Sequence, residues 1–121
     1  MKKRILVIED TLDNRLIMGD LLSGGGYDIV EAVDGAAGVA MAATERPDLI
    51  LMDIQLPVID GYEATRRIKA NPELAAIPIV AVTSYALGGD EAKAWAAGCD
   101  GYVAKPFSPR ELLAKVREFL P

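Results

Sequence analysis

Apolar residues in this chain fall into five short, nearly continuous runs: Ile5 to Ile8, Ile29 to Ala32, Leu49 to Met52, Ile77 to Val82 and Tyr102 to Ala104. Each is bounded by turn residues or charges. Continuous rather than alternating apolarity is the pattern of a strand covered on both faces. The segments between the runs change to helical spacing, with Leu12, Leu16, Ile17 and Leu21, then Ala36, Val39, Ala40 and Ala43, then Ala64 and Ile68 as the expected inner faces. The last segment is strongly amphipathic: Leu112, Leu113, Val116, Phe119 and Leu120 lie on one face, and Lys115, Arg117 and Glu118 on the other. Met18, Met41 and Met52 read as core, and Trp95 and Cys99 most simply as core or half-buried packing residues, with a partner-facing surface as the alternative for Trp95.

Helix boundaries can be read as well. Ser108-Pro109-Arg110-Glu111 carries a capping box with Pro at the first helical position, and Asp60-Gly61-Tyr62-Glu63 repeats the arrangement with Asp as cap. Asp34-Gly35 and Thr11 through Asp13 can start two further helices, while Gly24 and Gly98 are expected stops. Gly88-Gly89 falls where the fourth helix should begin, which predicts either a mobile helix start or a loop with Asp90 capping a shorter helix. The alternation is βα five times over. It demands an α/β fold with a parallel sheet, right-handed crossovers and helices on both faces.

Composition narrows the class. At 121 residues the chain holds one domain, 1–121, and its 51% apolar and 26% charged residues suit a packed core. A net charge of −5 argues against binding nucleic-acid phosphates, so protein or ion partners are expected. The single Cys99 cannot close an internal disulfide, and no signal peptide or long apolar span is present, which predicts a cytoplasmic location. Met1 and the ending at Pro121, directly after the last helix, favour a free-standing protein without an output domain over a piece of a longer chain.

Ligands of open α/β sheets bind outside the carboxyl ends of the strands. Glu9-Asp10 follows the first run, Asp53 the third, Thr83-Ser84 the fourth and Lys105-Pro106 the fifth. Three clustered carboxylates repel one another and raise at least one pKa unless a cation neutralises them. Mg²⁺, which favours oxygen ligands and keeps several waters, suits this set, whereas the absence of His argues against zinc. Thr83 and Lys105 are left to meet the oxygens of an anion beside the metal, the parts that phosphoryl transfer uses. Asp53, fixed by the run Leu49 to Met52 on the central strand, is the expected nucleophile, with Glu9 and Asp10 holding the metal. Strand-end acids also cap helices, and Asp34 and Asp60 are read that way.

The runs Val7-Ile8-Glu9-Asp10, Asp48 through Pro57, Pro78 through Thr83 and Gly101 through Phe107 resemble response-regulator receiver domains, over essentially the whole chain. Within that family the sequence is most similar to single-domain, DivK-like receivers and to receiver modules of hybrid kinases. The resemblance implies a flavodoxin-like, doubly wound three-layer sandwich with strand order 2-1-3-4-5. It implies Asp53 as phosphoacceptor, phosphorylated by a sensor histidine kinase or His phosphotransfer protein. It also implies Mg²⁺, or Mn²⁺ in its place, on Asp10, Asp53 and the Gln55 main-chain carbonyl, with Glu9 acting through water. Thr83 and Lys105 would contact phosphoryl oxygens, and Lys105-Pro106 would be cis. Thr83 and Tyr102 would form the switch, although Tyr102 can equally be read as a half-buried strand aromatic. Gln55 and Tyr85 occupy places that tune phosphoryl lifetime. Partner choice would come from the first helix and from the surface of the fourth helix, fifth strand and fifth helix, with the chain a monomer or weak dimer.

Three other classes fit less well. A phosphoaspartate hydrolase of the haloacid dehalogenase type carries its nucleophile on the first strand and a second Asp two residues later, where this chain has Gln55. Without a general acid, the chain is not expected to turn over outside substrates. A flavodoxin-like carrier needs a Ser-, Thr- and Gly-rich first loop, which Glu9-Asp10-Thr11 contradicts. A purely structural module would leave the five rim side chains without a purpose.

Overall fold

The computed structural model describes residues 2–83 and 90–121. Expectations for Ser84, Tyr85, Gly88-Gly89 and the Asp90 side chain lie outside what it describes. Five strands, β1 (Arg4–Ile8), β2 (Asp28–Ala32), β3 (Leu49–Asp53), β4 (Ile79–Thr83) and β5 (Gly101–Ala104), alternate with five helices, α1 (Leu12–Gly24), α2 (Gly35–Glu45), α3 (Gly61–Ala70), α4 (Asp90–Ala97) and α5 (Pro109–Phe119). All strand pairs are parallel, in the order β2-β1-β3-β4-β5. This is the doubly wound order expected of the chain. Among the described residues no helix is long and apolar enough to cross a membrane.

Each strand sends alternate side chains to two cores. Ile5, Val7, Leu49, Leu51, Val80 and Val82 meet Met18 and Leu22 of α1 and Leu112 and Val116 of α5. Leu6, Ile8, Ile50, Met52, Ile79 and Ala81 meet Ala42, Ala64, Ile68 and Ala94 from α2, α3 and α4. β1, β3 and β4 are therefore covered on both faces, as their continuous apolarity requires. β2 at the edge is not: Asp28 and Glu31 are exposed and only Ala32 is buried.

The cap predictions hold for three helices. Asp34 accepts from Ala37 N at 2.7 Å, Asp60 from Glu63 N at 2.9 Å, and Ser108 from Glu111 N at 3.1 Å within a full capping box. Thr11 occupies the cap position of α1 but its side chain makes no cap bond. Gly98 stops α4 with φ of 108°, whereas Gly24 is the last residue of α1 and the left-handed residue there is Gly26. The inner faces of α1 and α2 are corrected. Leu12, Leu16 and Ile17 are 57%, 51% and 60% exposed, and α1 buries Met18 and Leu22 instead. Ala36, Ala40 and Ala43 point outward, and α2 packs through Gly35, Gly38 and Ala42. Trp95 is exposed, and Cys99 is buried against Thr65.

Candidate functional site

The sheet order reverses between β1 and β3, so the carboxyl ends of these strands open a crevice. The ladder hydrogen bonds run one step past the strands and hold the rim residues in place. Glu9 N donates to Ala32 O at 3.1 Å, Ile54 N to Val82 O at 3.1 Å, and Lys105 N to Thr83 O at 2.7 Å. Glu9, Asp53 and Thr83 are consequently buried, at 1%, 6% and 1% exposure, while Asp10 faces solvent.

One carboxylate oxygen from each of Glu9, Asp10 and Asp53 lies within 4.8 Å of the others, so the sequence-predicted acids converge. Lys105 enters from β5. Its ammonium sits 3.2 Å from Glu9 Oε1 and 3.6 Å from Asp53 Oδ2. Thr83 closes β4 in register with Ala104, and Lys105-Pro106 is cis. Gln55 is exposed, and its main-chain N–H donates to Asp53 Oδ1 at 3.2 Å, which fixes the Asp53 side chain from the loop above. Tyr102 is half-buried on β5 and packs against the α2–α4 side of the core.

Burial pushes the Asp53 carboxyl up to about 7, reinforced by the adjacent Glu9 and only partly opposed by Lys105 and the Gln55 amide. Burial acts the same way on Glu9, but its contact with the Asp53 carboxyl, the Asn14 amide and Lys105 outweigh it, and Glu9 stays below its ordinary value. Of the two, Asp53 is the carboxyl that takes a proton more readily. A donor set made only of oxygens, two of the three acids buried, suits a hard divalent cation and not zinc. Glu9 Oε2 supports that fit: it is buried and has no hydrogen-bond partner, a costly arrangement that a cation or its hydration water relieves.

The loop after Asp53 is drawn tight over the site. Leu56 N bonds Ile54 O at 3.2 Å, Ile59 N bonds Pro57 O at 2.9 Å, and Gly61 N bonds Ile54 O at 2.9 Å. A Cβ on Gly61 would stand 2.4 Å from the Asp53 carbonyl, so only glycine lets α3 begin so close to the site. Val58 is held at φ of 74°, an unfavourable conformation for a β-branched side chain, and is 78% exposed.

Two contributors were not read from the sequence. Asn14 Nδ2 donates to Glu9 Oε1 at 2.6 Å, and Arg15 Nη1 donates to the carbonyls of Glu9 at 2.9 Å and Asp10 at 3.1 Å. The available signal was two polar residues interrupting the apolar spacing of α1 one turn beyond the acids. Asn14 and Lys105 also line an open cleft of about 460 Å³ with Ile17, Met18, Pro106 and Phe107.

The response regulator receiver domain family matches residues 5–117, and this chain belongs to it. It is thus a receiver domain of two-component signalling, with the fold and acidic rim just described. It is similar to the polar-differentiation response regulator DivK of Brucella anthropi, with 38% identity over 120 residues, 99% of this chain and 98% of the relative. Among solved structures, the receiver domain of a sensor histidine kinase from Pseudomonas aeruginosa, determined with a magnesium ion in its active-site cleft, is 38% identical, with a TM-score of 0.93 and coverage of 99% and 98%. The chemotaxis protein CheY4 of Vibrio cholerae is 26% identical, with a TM-score of 0.92 and coverage of 98% and 99%.

Proposed function

We propose that Asp53 accepts a phosphoryl group from a phosphohistidine on a sensor histidine kinase or His phosphotransfer protein, and that the chain signals by phosphorylation-dependent protein binding. The observation that carries this reading is the placement of Asp53: buried at the end of the central strand, 3.6 Å from the Lys105 ammonium, with Glu9 and Asp10 beside it.

An Asp53 carboxylate oxygen attacks phosphorus as the bond to the donor imidazole nitrogen breaks, giving an acyl phosphate and a neutral imidazole. Lys105 and the Thr83 hydroxyl bind the phosphoryl oxygens, and the Gln55 amide orients the Asp53 side chain. A divalent cation, Mg²⁺ or Mn²⁺ in its place, held by Glu9, Asp10, Asp53 and the Gln55 carbonyl, supplies the charge that keeps these carboxylates ionised. Lys105 and Asn14 meet the acids as donors, and the chain assists only its own phosphorylation and dephosphorylation. Thr83 and Tyr102 then bias an existing two-state element of the α4–β5 region. The reading places the chain in the cytoplasm with its donor.

Incubation with acetyl phosphate and Mg²⁺, followed by intact mass, tests the assignment. The native chain is expected to gain one phosphoryl group and Asp53→Asn none. An unmodified native chain, or equal gain in the variant, overturns it.

A further inference from the structure

Asn14 and Arg15, adjacent in α1, grip the segment between β1 and α1 from two directions. Arg15 Nη1 donates to two consecutive carbonyls, Glu9 O at 2.9 Å and Asp10 O at 3.1 Å, while Nε of the same guanidinium lies 3.3 Å from Glu31 on β2. The Arg15 side chain is only 12% exposed, its guanidinium inserted between the β1–α1 segment and the half-exposed Glu31, with Nη1 and Nε turned to the two sides. Asn14 engages Glu9 itself: its amide nitrogen, the only end that a carboxylate tolerates, donates to Oε1 at 2.6 Å, and the Lys105 ammonium shares that oxygen at 3.2 Å. Glu9 Oε2 is left buried without a hydrogen-bond partner.

We propose that Asn14 and Arg15 are positioning residues for the cation site. Asn14 occupies one Glu9 oxygen and leaves the other for the cation or its water. Arg15 fixes the backbone course from which the Glu9 and Asp10 side chains project, and anchors it to the edge strand through Glu31. The inference rests on the reading of Glu9, Asp10 and Asp53 as a divalent-cation site. Outer partners that orient ligands in this way change metal affinity without touching the metal.

A contrast of sign separates positioning from plain electrostatics. A guanidinium near a cation site repels Mg²⁺, so if Arg15 acted only through its charge, Arg15→Met would tighten Mg²⁺ binding. As a positioning residue it must do the opposite. Arg15→Lys keeps the charge but replaces the planar fork with a single ammonium, and it too must weaken binding.

The test is a MgCl₂ titration of the full chain followed by backbone amide NMR shifts, with urea unfolding in EDTA to establish that each variant is folded. Asn14→Ala and Arg15→Met are expected to weaken Mg²⁺ binding roughly tenfold or more, and Arg15→Lys to weaken it measurably. Should Arg15→Met not fold, Arg15→Lys and Asn14→Ala decide the matter. Unchanged or tighter Mg²⁺ binding in folded variants overturns the brace and leaves the cation site standing. A native chain that shows no saturable Mg²⁺ response overturns the site, and the brace with it.

Discussion

At the scale of single residues, Asp53 and Glu9 are two carboxylates buried side by side. Asp53 is pushed up to about 7 by burial and by Glu9, above the 3.8 it has when unfolded. A folded-state pKa above the unfolded value means that the native chain binds more protons between these limits. Stability from Asp53 is therefore fully present below about 3.8 and is lost as pH rises through about 7. Glu9, held below its ordinary 4.5, acts in the other direction and in another window: its contribution is present above 4.5 and lost in acid. In EDTA, urea unfolding should show native stability falling from pH 5 to pH 8. Asp53→Asn should flatten that slope and be more stable at pH 8 by at least ~1 kcal/mol, since a tenfold change in proton affinity is worth about 1.4 kcal/mol. A steeper slope in the variant would contradict the raised Asp53 carboxyl. Which acids gather on the rim was legible in the sequence, because a residue directly after a buried parallel strand has only one place to go. The proton's preference for Asp53 was not, because it depends on Asp53 and Glu9 being buried side by side, at 6% and 1% exposure, which their places in the chain do not display.

At the scale of elements, the helices differ in how plainly they announce their inner face. α5 does so, with Leu112 and Val116 fully buried and charges opposite. α2 does not, since it is built almost wholly of Ala and Gly and has no polar face to read. Its contact depends on closeness rather than on bulk. A Cβ on Gly38 would lie 2.5 Å from Ile8 Cδ1 and 3.0 Å from two further Ile8 carbons, and Ile8 is fully buried. Helix propensity favours Gly38→Ala by about 1 kcal/mol, but overpacking a rigid core costs roughly 1–3 kcal/mol. The clash wins. Thermal or urea unfolding should show Gly38→Ala destabilised by about 1 kcal/mol, whereas Ala36→Gly on the exposed side of the same helix should lose only its propensity. α1 was misread for another reason: its outward Leu12, Leu16 and Ile17 carry the same helical spacing as an inner face, and spacing alone does not tell solvent from core.

Across the whole molecule, those three side chains are exposed apolar groups of α1, and Ile17 lines the cleft that holds Lys105. Under the proposed function, this is where a donor protein rests while its phosphohistidine reaches Asp53. Leu12→Ser with Leu16→Ser should leave folding and acetyl phosphate modification close to native, because the residues are half exposed and a small donor needs no docking. Transfer from a phosphorylated His phosphotransfer protein should fall at least tenfold. Equal loss with both donors would place the defect in the site and not in docking.

Asp53 and Lys105 belong to strands that are not neighbours in the sheet, and the Lys105–Glu9 contact joins residues 96 positions apart. During synthesis, which proceeds from the N-terminus, Asp53 and the neighbouring acids leave the ribosome long before the Lys105 ammonium does. A chain interrupted before β5 carries Asp53 without Lys105. Under the proposed function, the cation that would meet the phosphoryl oxygens thus arrives only with the residues that follow the last strand.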